Sequence, residues 1–492
     1  MNFPYFILIC VASVVLSGRS AAAPKEADFY PSVPLPIPAG VALEVSALEM
    51  MPDGQLMVGT RRGDIYAVTN PGAEDLSQMK FTKYGSGMHE ILGLAYNAKD
   101  GFLYVTQRPE VTKTKDTDGD GRCDVYETFF DGWGQSGDYH EYNFGSKFDP
   151  EGNLWTVLCL TGSFSSEIDW RGWCLRISPE GKAIPTCGGV RSPGGIGFLF
   201  GECFFTDNQG PWNGSSSLKC LKPGSFQGHD GGNKWYETPA AKATMGGTPP
   251  PAQSGSRMVV ERTKVPQLVP PAIMLPHGRV GQSSSGLFED ISGGKFGPFA
   301  GQAFVADQGF SNICRCPMEK VNGVWQGGCI VFREGFRCGI IPMLETKDGT
   351  LYLGGADRGW GSRGGNPFTL ERVRWSGQVP FEIQNIRAKN DGFEVAFTAP
   401  VDATKAANPA SYQCEAWTYI FQSSYGSPEV DKVLPAVKSA EVSADGLTVR
   451  LRLTPLTKGH VHAIDLPGVT DKDGVPLLHS KVYYTLNEIP SA

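Results

Sequence analysis

Short runs in which apolar and polar positions alternate recur along the first three quarters of the chain, each introduced by an acidic or glycine turn. The phrase appears as DGQLMVGT from Asp53, DGFLYVTQ from Asp100, EGNLWTVL from Glu151, GECFFTDN from Gly201, GQAFVADQ from Gly301 and DGTLYLGG from Asp348. A period of two is the signature of a strand, and Asp-Gly or Glu-Gly suits the tight turn of a hairpin. The glycines at 54, 101, 152, 201, 301 and 349 lie 47, 51, 49, 100 and 48 residues apart. Six copies at that spacing, with one doubled interval, predict an all-β fold: a six-bladed β-propeller over residues 24–376.

The doubled interval contains MGGTPPPAQSGS, a stretch without apolar periodicity, so an excursion is expected over about residues 228–290. Beyond Trp375 the phrase stops. New alternating runs follow, among them FEIQNI, GFEVAFTA, LTVRLRL and KVYYTL. Their turn spacing predicts a small β-sandwich of immunoglobulin or fibronectin type over residues 379–492.

Composition narrows the functional classes. Of 492 residues, 62 are Gly and 36 Pro with only 19% charged, which suits strands and turns rather than long helices. A net charge of -7 argues against nucleic acid or an acidic membrane as partner and leaves a small molecule. The apolar run FILICVASVVL followed by SAAAP reads as a signal peptide over residues 1–23. No later stretch is apolar for long enough to be a transmembrane helix, which predicts a periplasmic or secreted protein. Eleven cysteines follow the signal, at 123, 159, 174, 187, 203, 220, 314, 316, 329, 338 and 414. In an exported protein most are expected in disulfides, with one left over.

Two groups of residues carry candidate chemistry. DTDGDGRCDVYE matches the spacing of a calcium loop, with Asp116, Asp118, Asp120, Asp124 and Glu127 as side-chain ligands and the Arg122 carbonyl at the seventh position. Hard oxygens at every second residue wrap a divalent cation, and Gly121 permits the turn. The second group is four histidines outside the strand phrases: His89 beside Glu90, His140, His229 and His277. Loops between blades meet at the mouth of a propeller's channel, so together they suggest a polar site there.

The order His140, FGSKFDPEGNLWTV, VRSPGGIGF, FFTDNQGP resembles the soluble quinoprotein glucose dehydrogenases and the related sorbosone-type sugar dehydrogenases. TDNQGPW, KPGSFQGH, GGKFGPFAGQAFVADQ, FREGF, RGWGSRGG and YGSPEV are similar to a secreted bacterial subgroup of such propellers, many of them fused to haem domains that this chain lacks. The resemblance covers roughly residues 40–375. It implies a carbohydrate oxidoreductase using pyrroloquinoline quinone (PQQ) and calcium, a sugar or other alcohol as substrate, and a separate electron acceptor. His140 takes the place of the catalytic base and Arg191 that of an arginine near the quinone. Gly210 and Pro211 take the place of backbone ligands to the catalytic calcium, with Asn208 and Gln209 as neighbouring cofactor contacts. His89 and Glu90 are expected in the same catalytic pocket, and Asp138, Glu141 or Glu90 are candidates to orient His140.

The chain departs from that pattern where the quinone's carboxylates need cations. The family's lysine falls near Asp307 and Gln308, and its arginine pair near Gly339 and Ile341. Arg358 and Arg363 are the candidates to replace them. Two alternatives therefore stand beside the dehydrogenase: a non-redox propeller binding glycans or peptides, and a metal-assisted lyase or hydrolase using His89, Glu90 and His140.

Overall fold

The computed structural model describes residues 24–357 and 361–491, so the expected signal peptide over residues 1–23 and Arg358 lie outside it. Six sheets, antiparallel apart from one parallel pairing at the edge of the third, follow one another along the chain. Their innermost strands are Val45–Met50, Gly93–Asn97, Asn143–Phe148, Pro193–Leu199, Ser284–Glu289 and Ile340–Glu345. Each neighbours the next, and the sixth returns to the first. The N-terminal strand Ser32–Pro34 pairs with Phe368–Val373, so the last sheet is completed by the start of the chain. This arrangement is consistent with a β-propeller.

Every recurrent phrase forms the second strand of one sheet, from Leu56–Thr60 to Leu351–Ala356. These strands lie between neighbouring sheets and are buried on both faces, as Leu154–Leu158 and Ala303–Asp307 are throughout. Each large apolar side chain so buried stabilises the fold by about 1.5–3 kcal/mol. Glycine lets the ring close. A Cβ on Gly93 would collide with the Gly145 carbonyl, and one on Gly194 with that of Ser284. Five of the six inner strands carry a register shift against their partner, as between Phe144 and Lys147, which bends the strand near one end of the channel.

Residues 383–486 form a two-sheet unit around Ile386, Phe393, Val395, Leu451, Ile464 and Tyr484. The long strand Val324–Arg333 joins it to the fifth sheet: one end pairs with Asn312–Cys316, the other with Lys481–Leu486. The excursion is narrower than residues 228–290, because Ile273–Leu275 already completes the fourth sheet and Ser284–Glu289 opens the fifth. Among the described residues no helix is long and apolar enough to cross a membrane.

The expected disulfides are absent among the described residues: all eleven cysteines are free, nine of them buried. Even Cys174 and Cys187, opposite one another on adjacent strands, remain thiols. These side chains fill apolar space between sheets, and burial pushes the Cys174 and Cys203 thiols well above their usual range.

Candidate functional site

A cavity of about 360 Å³ opens where the inner strands begin. Leu92, Phe144, Pro193, Ser284, Ser285 and Ile341 form its floor, and loop residues from successive sheets form its wall. The cavity brings together His140, Arg191, Asn208, Gln209 and His277 with Arg61, Tyr142, Ser163, Gln282 and Gln308.

His140 is carried by the connection between the second and third sheets. The Asp138 carboxylate accepts the His140 and Gly162 backbone N–H groups, both at 2.8 Å, and lies 3.8 Å from the imidazole Nδ1. Arg108 donates to the carbonyls of Asp138 at 2.8 Å and Tyr139 at 2.6 Å, pinning the same turn. Burial lowers the His140 pKa; Asp138 opposes this, while Arg191 and Arg108 reinforce it. The imidazole is therefore held neutral at ordinary pH, as proton acceptance requires.

Arg191 is buried beside it. Its Nε donates to the Ser163 carbonyl at 3.2 Å and its Nη1 to the carbonyls of Asn208 and Gln209. Gly210 makes this possible, since a Cβ there would run into the guanidinium. Gly210 thus supports Arg191 from behind, and neither it nor Pro211 lines the cavity.

The structure separates His89 and Glu90 from this pocket. His89 is exposed, its Nδ1 at 3.4 Å from Gln135 Nε2. Glu90 is buried and accepts from Arg61 Nε at 2.7 Å and Arg108 Nε at 2.5 Å. Burial raises its pKa, and the two guanidinia outweigh that and hold it below the usual carboxylate range. Its position behind the wall ties one cavity residue, Arg61, to the arginine that pins the His140 turn. Glu141 faces Ser136 and Thr161, leaving Asp138 as the carboxylate near His140 among the three candidates. His229 is buried, accepts the Gly231 N–H at 3.0 Å, and is pushed down to about 4 by burial.

Sequence reasoning missed Arg61, Phe164 and Tyr425. Arg61 had a signal: it directly follows the first recurrent phrase, as Asn208 and Gln209 close and follow the fourth and Gln308 closes the fifth. Tyr425 had none, because it comes from the C-terminal unit.

A tricarboxylate quinone with calcium fits these residues poorly. Among the described residues the only cationic side chains lining the cavity are Arg61 and Arg191, the first paired with Glu90 and the second bonded to three carbonyls. Asp307, where the family's lysine falls, sits behind the wall accepting the N–H groups of Gln282, Ser283 and Phe310 at 2.7–2.8 Å. Arg363 lies over the Phe310 ring at 3.3 Å, away from the lining. No described lining residue is a carboxylate, and the carbonyls of Asn208 and Gln209 already accept a guanidinium. A calcium ion there would lack anionic protein ligands.

The acidic loop is distant in the second sheet. Side-chain oxygens of Asp116, Asp118 and Asp120 lie within 4.8 Å of one another. Asp124 instead accepts from Thr117, and Glu127 pairs with Lys113 at 2.8 Å across the strands.

No family model matches this chain, and no curated protein matches it. Solved structures do. A protein of Thermus thermophilus named as a putative oxidoreductase (glucose dehydrogenase) is 19% identical, with a TM-score of 0.50 over 70% of this chain and 99% of that one. The soluble aldose sugar dehydrogenase of Escherichia coli is 14% identical, with a TM-score of 0.46 over 70% of this chain and 99% of that one. The PQQ domain of pyranose dehydrogenase from Coprinopsis cinerea is 12% identical, with a TM-score of 0.47 over 70% and 95%. At 19% identity the first of these likenesses bears on the fold alone.

Proposed function

We propose that this protein is a secreted, oxidoreductase-like six-bladed propeller with an immunoglobulin-type sandwich at its C-terminus, and that its cavity takes one neutral sugar or related alcohol. The observation that carries the reading is the meeting of a neutral His140 with Arg191 in one cavity whose other polar groups are amides and hydroxyls together with Arg61 and His277, and which no described carboxylate lines. Such groups suit a polyhydroxylated ligand without net charge. His140 accepts the proton of a bound hydroxyl, and Arg191 stabilises the negative charge that develops on that oxygen. As the C–O bond becomes C=O, the carbinol C–H bond breaks and its hydride passes to a separate two-electron acceptor, an organic redox dye in the assay, which is reduced as the carbonyl product forms. PQQ with calcium has no part in this reading, because among the described residues the cavity offers two guanidinia to three carboxylates and no carboxylate to a calcium ion.

That same lack favours a second reading, a propeller that binds the sugar without oxidising it. Steady-state oxidation with an artificial dye acceptor, run beside calorimetric sugar binding, separates the two. On the first reading His140→Ala loses about 10²- to 10⁴-fold in turnover while sugar affinity changes little. Wild-type protein that binds sugar but reduces no dye, with or without PQQ and calcium, establishes the second reading. A His140→Ala variant with the wild-type rate removes the base assignment.

A further inference from the structure

We propose that Tyr425, carried by the C-terminal unit, forms with Phe164 an aromatic wall of the cavity that selects ring-closed sugars over open-chain polyols. This deepens the sugar-binding reading and rests on it. Both residues line the cavity although one belongs to the third sheet's loop and the other to a different unit of the chain.

The first support is where exposed aromatic surface lies. Among the described residues the exposed tyrosine and phenylalanine side chains are Tyr126, Tyr139, Phe164 and Tyr425. Phe164 (55% exposed) and Tyr425 (60%) stand at this mouth with centroids 6.3 Å apart, and Tyr139 (42%) packs edge-on against His140 at 5.3 Å. Exposed apolar surface gathered at one cavity marks a place where a ligand covers it.

The second support is how firmly Tyr425 is placed. The Trp212 N–H donates to the Gln422 carbonyl at 2.7 Å, and the Ser427 N–H to the Gly214 carbonyl at 3.0 Å. These bonds tie both sides of the Tyr425 loop to the fourth sheet. Phe421 packs on Trp212 with ring centroids 4.9 Å apart. Gly426 sits at φ +62°, and a Cβ there would press on the side chain of Gln209, itself a cavity residue. A ring held this way offers rigid contact area at little cost in conformational entropy.

The third support is what the wall faces. The Arg191 guanidinium lies 5.1 Å from the Tyr425 centroid and 6.0 Å from that of Phe164, so hydrogen-bonding groups and aromatic faces meet at one corner. A pyranose presents a rigid C–H face beside its hydroxyls. An open-chain polyol has C–H groups too, but no ring that gathers them on one face.

The test is isothermal titration calorimetry of the full chain with methyl glucoside and methyl galactoside against sorbitol and galactitol. Wild type is expected to prefer the ring-closed ligands. Tyr425→Ala should weaken them by about threefold to tenfold, the range of one aromatic contact, and leave the polyols unchanged, while Tyr425→Phe keeps the preference. Phe164→Ala provides an independent second removal of the wall should the first variant melt early. Unchanged ring-closed affinity, or equal loss for rings and polyols, overturns the wall while sugar binding stands. If wild type binds none of the four, the sugar reading falls and the wall falls with it.

Discussion

Replacing Glu90 by Ala tests whether this carboxylate organises the site from behind. Side-chain exposures are 7% for Glu90 and 6% for each of Arg61 and Arg108, so the substitution leaves two buried guanidinia without their shared anion. Removing one member of a buried ion pair costs about 3–5 kcal/mol, against a total stability of about 5–15 kcal/mol for a typical domain. The loss should appear in urea unfolding as a lowered midpoint. It should also reach function, because Arg108 pins the carbonyls of Asp138 and Tyr139 next to His140. The sign with pH follows from the lowered pKa of Glu90. A depressed carboxyl adds stability above its unfolded value, near ~4.3, and that contribution disappears as pH falls through the folded value. Wild type should therefore lose more stability than Glu90→Ala on acidification. Glu90→Gln separates charge from shape, since the amide oxygen still accepts one guanidinium hydrogen bond. A Glu90→Ala protein within about 1 kcal/mol of wild type, with unaltered sugar binding, would refute the reasoning.

Two further outcomes are expected. We propose that Asp116, Asp118 and Asp120 begin a calcium site: calcium at a hundred times its dissociation constant should raise stability by about 2.7 kcal/mol and Asp118→Ala should abolish the rise, whereas melting insensitive to calcium would leave only an acidic turn. His479 Nδ1 lies 2.6 Å from Glu382 and Nε2 3.0 Å from Glu26; burial lowers its pKa, but the two carboxylates outweigh this and push it up to about 9. Its contribution, about 3 kcal/mol, is complete below the unfolded value of ~6.5 and is lost as pH rises through about 9. Denaturant unfolding from about pH 6 to 10, a range that brackets both values, should show that decline in wild type and not in His479→Gln; equal slopes would mean that the clasp carries no charge.

The propeller-like sheets were legible because their signal is local. A turn residue followed by alternation is written within eight residues, and each copy became the second strand of a sheet. The meeting of His140, Arg191, Asn208 and Gln209 was legible one step further on, since corresponding loops of successive sheets reach the same end of the channel. Cysteine pairing was not, because it depends on distances between strands that spacing along the chain does not encode. Tyr425 was beyond reach for the same reason, being placed by contacts between two separate parts of the chain.

His89 and Glu90 show most directly where reading by adjacency fails. In irregular backbone, consecutive side chains diverge, and Glu90 sits at φ +54°, which turns the chain sharply between them. One side chain reaches solvent and the other the buried pair of arginines. A histidine–glutamate dipeptide therefore offers the chemistry of a catalytic pair without its geometry. What Glu90 supplies instead is charge compensation, and that determines which arginines remain available to a ligand. With Arg61 and Arg108 sharing one carboxylate and Arg191 bonded only to neutral carbonyls, the cavity retains hydrogen-bond donors and positive charge, but only two guanidinia and no lining carboxylate among the described residues. A neutral sugar can use donors held in that way, whereas a tricarboxylate with calcium would need a third cationic partner and anionic metal ligands as well.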